Sequence, residues 1–175
     1  MKTIIVAGFD NTGKTSLTKR LSDTLETPVI NSLGPNVSRQ DQLIFMTESP
    51  FVPQDREISL HERYPILEEL VYGPPLRGHS NFTEADLSTL MEVVYPLIIY
   101  TRPPESHIFN WGDREQMPGV KEQAENLLTR WDRLMASLVE EGYNVFIYDY
   151  TNEPDEWVSL MKEVENYEKQ TRNDL

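Results

Sequence analysis

Apolar residues form short continuous runs along the chain, and each run predicts a β-strand. The first run covers residues 3–9, Thr-Ile-Ile-Val-Ala-Gly-Phe, and is rich in β-branched residues. A continuous run, in place of strict alternation, is typical of a strand that is buried on both faces, as in a parallel sheet. The other predicted strands cover 28–30, 57–61, 96–100 and 145–148.

Stripes of apolar residues at helical spacing separate these runs. Leu17, Leu21 and Leu25 recur at intervals of four, which predicts an amphipathic helix over 14–25. Strands and helices alternate, which is typical of an α/β fold with a mostly parallel sheet. At 175 residues, we expect one domain over 1–175. The other predicted helices cover 39–47, 65–72, a segment starting at 83, about 120–141 and about 154–168. The predicted apolar face of the helix at 120–141 consists of Ala124, Leu127, Leu128, Trp131, Met135 and Leu138.

Local signals predict where some of these helices begin and end. Pro65 suits the first turn of a helix, and Gly73-Pro74-Pro75 should end that helix. Thr83 has the form of an N-cap for the next one. Residues 102–118 contain three prolines and Gly112, so we predict an exposed loop there.

Charge and composition narrow the functional classes. The net charge is −13, which disfavours binding to a phosphate backbone, although a local groove could still accept DNA. The chain has no cysteine, so disulfides and thiolate metal sites are excluded. No apolar run approaches the roughly 20 residues that span a bilayer. We therefore expect no membrane partner and a cytoplasmic location.

The segment Gly-Phe-Asp-Asn-Thr-Gly-Lys-Thr at 8–15 follows the first strand and opens the first helix. This is the context of a P-loop, whose backbone N–H groups and helix N-terminus bind phosphates. Lys14 can reach the β- and γ-phosphates, and the Thr15 hydroxyl can hold Mg²⁺. We therefore predict ATP and Mg²⁺ as cofactors. The predicted cofactor-binding residues are Gly8, Asn11, Thr12, Gly13, Lys14, Thr15 and Ser16.

Two other features carry candidate chemistry. Glu62-Arg63 falls at the end of the third strand, where the carboxyl ends of strands line the binding crevice of an open α/β sheet. There Glu62 could accept a proton or orient Mg²⁺, and Arg63 could bind a phosphate. Arg102, His107 and Arg114 concentrate positive charge in the loop 102–118, as a lid over phosphates requires.

Four segments resemble the thymidylate kinase-like branch of nucleoside and nucleotide kinases. Residues 7–16 look like the P-loop of that family, with an acidic residue at Asp10. Glu62-Arg63-Tyr64 is similar both to the Asp-Arg-Tyr of thymidylate kinases and to the Glu-Arg-Ser of deoxynucleoside kinases. Residues 97–105 resemble the strand that leads into the lid, and 62–78 resemble small phage-encoded kinases. The resemblance implies a three-layer P-loop kinase fold, with a five-stranded parallel sheet flanked by helices and a short lid.

The resemblance also implies roles for individual residues. Asp10 lies near the acceptor sugar in the family, and Glu62 orients the acceptor and Mg²⁺ or acts as base. The acceptor phosphate would meet Arg63 and either Arg39 or Arg77, while Arg102 and Arg114 would act from the lid. The candidates for stacking on the acceptor base are Phe45, Phe51, Tyr64 and Tyr72. Family members often dimerise through helices, so a homodimer is among the implied partners.

The sequence leaves the acceptor open. The leading hypothesis is phosphoryl transfer from ATP to a deoxynucleoside monophosphate. Thymidylate kinases, however, usually have Glu at the position of Ala7 and Asp at the position of Glu62. A hydroxyl acceptor must lose a proton, so Glu62 also suits a nucleoside kinase or a kinase of hydroxymethyluracil in phage DNA. A third hypothesis is a nucleotide-dependent switch, although the chain lacks the Asn-Lys-x-Asp pattern that reads guanine.

Overall fold

Five parallel strands form one sheet in the order β2-β3-β1-β4-β5. This computed structural model describes residues 2–33, 37–51, 58–112 and 116–170. The predicted α/β class and the five strands are confirmed, with ends shifted by one residue or so. The strands are β1 (Lys2–Ala7), β2 (Val29–Asn31), β3 (Ile58–Glu62), β4 (Leu97–Thr101) and β5 (Val145–Tyr148).

Helices cover both faces of the sheet, which gives the predicted three layers. Ile5 and Ile98 point into one apolar cluster, and their neighbours Ile4 and Ile99 point into the other. No helix in the described ranges is both long and apolar enough to cross a membrane. The helices are α1 (Lys14–Leu25), α2 (Arg39–Glu48), α3 (Pro65–Arg77), α4 (Glu84–Val94), α5 (Glu105–Ile108), α6 (Ala124–Glu140) and α7 (Asp155–Lys169), with 3₁₀ turns at Ser49–Phe51 and Tyr150–Asn152.

Helix α3 corrects one prediction, because it continues through Pro74 and Pro75 to Arg77. A proline has no N–H to donate, so the carbonyls of Leu70 and Val71, four residues earlier, lose their partners within the helix. Arg130 of α6 replaces both donors. Its Nη2 lies 2.9 Å from the Leu70 oxygen, and its Nε lies 3.1 Å from the Val71 oxygen. A side chain distant in sequence thus makes the double proline compatible with a helix.

The predicted exposed loop at 102–118 is only partly a loop. It contains the short helix α5, and Ile108 is fully buried in the core. Residues 113–115 lie outside the described residues. Helix α6 begins at Ala124, later than the predicted 120, because turns occupy the residues before it. The predicted apolar face of α6 is confirmed, and Trp131 lies at its centre with no exposed surface.

Candidate active site

The predicted P-loop, residues 8–15, follows β1 and contains three residues with positive φ. Gly8 has a φ of 144°, Asn11 of 64° and Gly13 of 85°. A Cβ on Gly8 would lie 2.5 Å from Thr101 Oγ1, so only glycine fits beside β4 at this point. Gly13 then precedes Lys14, the first residue of α1. The N-terminus of α1 therefore lies at the carboxyl edge of the sheet, as an anion site of this kind requires.

Lys14 is nearly buried beneath the loop, with 5 % of its surface exposed. Its Nζ donates to the carbonyl oxygens of Gly8 at 2.8 Å and Phe9 at 2.5 Å. Desolvation by burial, together with the positive charge of Arg63, lowers the pKa of Lys14 to about 8. Phosphate oxygens nearby would favour the charged form and offset this desolvation. Lys14 is therefore suited to bind a polyphosphate.

A cavity of about 670 Å³ lies over the P-loop. The P-loop and the start of α1 form one wall, and residues at and after the end of β5 form the other. Every predicted cofactor-binding residue except Gly8 lines it. The lining residues are Asn11, Thr12, Gly13, Lys14, Thr15, Ser16, Leu17, Arg20, Arg63, Tyr148, Tyr150 and Glu153.

Sequence reasoning missed the wall that follows β5. Glu153 accepts a hydrogen bond from Arg20 Nη1 at 2.7 Å, and the Arg20 guanidinium lies 3.7 Å from the centre of the Trp157 ring. The Tyr150 ring packs against Gly13, where a Cβ would come within 3.2 Å of it. No motif marks these residues. Their position could have indicated them, because the carboxyl ends of all strands in a parallel sheet lie at the same edge, where ligands bind.

Thr15 and Glu62, the two predicted metal ligands, lie side by side. Thr15 Oγ1 donates to Glu62 Oε1 at 2.6 Å. No group of three or more His, Cys, Asp or Glu side chains could hold a metal within the described ranges. Two protein oxygens nevertheless fit Mg²⁺, because this ion usually completes its octahedron with water and substrate phosphates. The pair therefore suits an ion that arrives with a nucleotide.

Asp10 and Arg63 form the second pair at this edge. Arg63 adopts a φ of 67°, and its Nη2 lies 3.0 Å from Asp10 Oδ1 while its Nη1 lies 3.2 Å from Glu68 Oε2. Burial alone would lower the pKa of Arg63, but the carboxylates of Glu68 and Asp10 raise it overall. The guanidinium therefore stays charged and holds two carboxylates beside the P-loop.

Glu68 is a member of this cluster that the sequence did not reveal. Desolvation by burial raises its pKa, and Arg63 opposes that shift. Its Oε1 is buried and has no hydrogen-bond partner within the described part of the chain. Tyr72 follows one turn later on α3, and its hydroxyl lies 3.5 Å from Asp10 Oδ2. The spacing of four between Glu68 and Tyr72, on a helix that starts beside Glu62-Arg63, was the signal that could have found them.

Arg102 departs from its predicted role in the lid. Its Nε and Nη2 lie 2.9 and 3.1 Å from the two carboxylate oxygens of Asp132 on α6. The same carboxylate accepts from the Tyr100 hydroxyl at 2.7 Å. The hydrogen bonds that Arg102 donates to Asp132 raise the pKa of Arg102, so the guanidinium stays charged. Arg102 thus joins the end of β4 to α6 and does not line the cavity. Arg114, the other predicted lid cation, lies outside the described residues.

Three predicted substrate-binding residues lie outside the cluster around Arg63. Tyr64 is fully buried and donates to the Met46 carbonyl at 2.7 Å, so the prediction that it contacts the acceptor is wrong for this conformation. Arg39 pairs with Asp86 at 3.0 Å and joins α2 to α4. Arg77 pairs with Glu69 at 2.5 Å within α3.

Comparison with known proteins shows which solved structures share this fold. No family model matches the chain, and no curated protein matches it in sequence. The YorR protein from Bacillus subtilis, solved in complex with phosphorylated GDP, is 18 % identical with a TM-score of 0.75, over 98 % of this chain and 100 % of YorR. Thymidylate kinase from Candida albicans is 13 % identical with a TM-score of 0.52, over 96 % of this chain and 92 % of that one.

A third match is deoxyadenosine kinase from M. mycoides with bound dATP. It is 14 % identical with a TM-score of 0.55, over 94 % of this chain and 99 % of that one. Likeness at this level of identity establishes the fold. The chain therefore has the α/β fold of P-loop nucleotide and nucleoside kinases, with a five-stranded parallel sheet flanked by helices.

Proposed function

We propose that the protein transfers the γ-phosphoryl group of Mg²⁺-ATP to a deoxynucleoside monophosphate. The observation that carries this proposal is the pair of contacts beside the P-loop lysine, Thr15 with Glu62 and Asp10 with Arg63. Glu62, Asp10 and Arg63 all lie close enough to Lys14 to influence its pKa. A donor triphosphate and an acceptor could therefore meet at Lys14.

On the donor side, the loop N–H groups and Lys14 would bind the β- and γ-phosphates. Thr15 and Glu62 would hold Mg²⁺, which would supply charge neutralisation to the transferring group. Catalysis would then consist mainly of positioning. An oxygen of the acceptor phosphate forms a bond to the γ-phosphorus, the bond from that phosphorus to the β–γ bridging oxygen breaks, and ADP leaves with the electron pair.

On the acceptor side, Asp10 would read the sugar and Arg63 would bind the acceptor phosphate. Either Arg39 or Arg77 would assist, after release from its present ion pair. Of the two predicted lid cations, Arg114 keeps the proposed role at the transferring group. Arg102 would instead support the lid through Asp132.

A second candidate, transfer to a hydroxyl group, stays compatible with one observation. Arg63 uses two nitrogens on Asp10 and Glu68, and both Arg39 and Arg77 are ion-paired. A neutral nucleoside needs no free cation, whereas a monophosphate would have to share one of these arginines with its carboxylate partner or displace that carboxylate. In that reaction Glu62 accepts the hydroxyl proton as the oxygen attacks the γ-phosphorus.

A panel assay separates the two candidates. Mg²⁺-ATP is incubated with deoxynucleosides, with their monophosphates and with hydroxymethyluracil-containing DNA, and the product that gains phosphate is identified. For a monophosphate kinase, Arg39→Ala or Arg77→Ala should raise the KM of the acceptor and leave the KM of ATP unchanged. A phosphorylated nucleoside or DNA, insensitive to both substitutions, would establish the second candidate. ATP consumption without a phosphorylated acceptor would contradict both.

A further inference from the structure

Asn11 belongs to the P-loop, yet its side chain faces the lid base, which we define as residues 105–112. Its Nδ2 lies 3.0, 2.9 and 3.1 Å from the carbonyl oxygens of His107, Ile108 and Asn110. His107 and Ile108 end helix α5, and the last carbonyls of a helix have no partner within it. The Asn11 amide therefore caps α5 from a different part of the chain.

Residues on either side of Asn11 reach the same segment. The Phe9 ring meets the Trp111 ring edge-on, with 5.7 Å between centres. Gly13 packs against Tyr150, whose hydroxyl lies 3.3 Å from His107 Nδ1. Movement of the lid base away from the P-loop would therefore break contacts at three points, with the Asn11 amide at the centre.

The backbone of Asn11 explains why this residue type suits the position. Its φ of 64° lies in the left-handed region, which asparagine tolerates better than most residues with a side chain. Glycine would keep this backbone and lose the amide. Aspartate would keep the shape but place a carboxylate against three carbonyl oxygens. Both substitutions therefore remove the contact between Asn11 and the three carbonyl oxygens. Glycine deletes the side chain, and aspartate replaces attraction by repulsion.

We propose that Asn11 is a positioning residue, which holds the lid base against the P-loop through the carbonyls of α5. The catalytic consequence rests on the proposed phosphoryl transfer, because only there does lid position matter to the rate. Asn11 also lines the donor cavity, but its side-chain amide is bonded to the lid base. Removing that amide in Asn11→Gly therefore lowers kcat and leaves donor affinity in place. Loss of a side chain that binds the donor phosphates would instead raise the donor Kd and change kcat less.

The test compares Asn11→Gly and Asn11→Asp with the wild type, with Asn166→Asp on the exposed face of α7 as the matched control. Pulsed hydrogen exchange measures opening of the lid base without any substrate. The amide of Phe109 is the reporter, because it donates to the Glu105 carbonyl at 2.9 Å at the C-terminal end of α5. A fluorescent ATP analogue gives the donor Kd, and steady-state kinetics give kcat and KM.

We expect exchange at Phe109 to accelerate at least about tenfold in both Asn11 variants, as loss of two or three hydrogen bonds implies. We expect kcat to fall by a similar factor in both variants, while the Kd of the analogue stays within about threefold in Asn11→Gly, which adds no charge to the donor cavity. Unchanged exchange would overturn the proposal, as would a large rise in Kd as the main effect of Asn11→Gly. If the wild type transfers no phosphoryl group, the proposed function fails, but the exchange result still decides whether Asn11 tethers the lid base.

Discussion

Thr15 donates a hydrogen bond of 2.6 Å to Glu62, and this contact joins the first turn of α1 to the end of β3. Backbone pairing sets it up, because Val6 and Glu62 are partners in the β1–β3 register and the Arg63 N–H donates to the Val6 carbonyl at 2.9 Å. The register therefore fixes Glu62 beside the end of β1, from which residues 8–13 lead directly to Thr15 at the start of α1. A shared Mg²⁺ would need little rearrangement of the protein.

The first prediction concerns Glu62. Glu62→Gln keeps the shape of the side chain and removes the charge that would face Mg²⁺ or the acceptor. We expect kcat to fall by about 10²-fold or more, while the Kd for a fluorescent ATP analogue changes only a few-fold. Glu140→Gln, at the exposed end of α6, is the control. An unchanged kcat in Glu62→Gln would remove this residue from the mechanism.

The second prediction concerns the double proline in α3. Arg130→Ala leaves the carbonyls of Leu70 and Val71 without their donors, so we expect the free energy of unfolding to fall by about 2 kcal/mol. Arg133→Ala, an exposed arginine on the same helix, is the control and should cost much less. Urea denaturation followed by circular dichroism measures both.

A double-mutant cycle identifies the cause. Pro74→Ala together with Pro75→Ala restores the N–H groups that α3 itself would donate to Leu70 and Val71. Arg130→Ala should then cost markedly less in this background than in the wild type. An equal cost in both backgrounds would show that Arg130 stabilises the protein by some other contact.

The third prediction is a pH dependence of stability. His61 is fully buried, neither ring nitrogen has a hydrogen-bond partner among the residues that the structure describes, and desolvation lowers its pKa from 6.5 to about 4. Below pH 6.5 the unfolded chain takes up a proton at His61 that the folded protein does not. Stability should therefore fall as the pH drops from 6.5 to 4, by about 3 kcal/mol from this residue.

His61→Leu removes the titrating group from this apolar site. We expect its unfolding free energy to fall less between pH 7 and pH 4 than that of the wild type, by roughly the same 3 kcal/mol. His79→Leu, at an exposed position, should follow the wild-type curve. Parallel curves for His61→Leu and the wild type would show that His61 titrates normally in the folded state.

Much of the fold followed from the sequence because its signals are local. The continuous run in β1 and the stripe of α6 are each complete within one segment, so periodicity alone predicted them. The end of α3 could not be predicted in this way. Pro74 and Pro75 carry a correct local signal to stop, and Arg130, more than fifty residues later, overrides it.

In the candidate site, too, local features could be predicted and contacts between distant residues could not. The P-loop is contiguous, so its residues and their order identified it. The roles predicted for Arg102 and Tyr64 depended on where their side chains point. Arg102 turned to Asp132 on α6, and Tyr64 turned into the core beneath α2. Glu68 entered the cluster only because α3 starts beside Arg63.

The most direct measurement is phosphoryl transfer by the wild type and by Lys14→Ala, with Lys19→Ala on the exposed face of α1 as control. All three proteins receive ATP labelled in the γ-phosphate, Mg²⁺ and the panel of deoxynucleosides and monophosphates. We predict that the wild type and Lys19→Ala move the label to an acceptor, and that Lys14→Ala folds normally but moves none. Label that stays out of every acceptor with the wild type, or transfer that persists in Lys14→Ala, would contradict the proposed function.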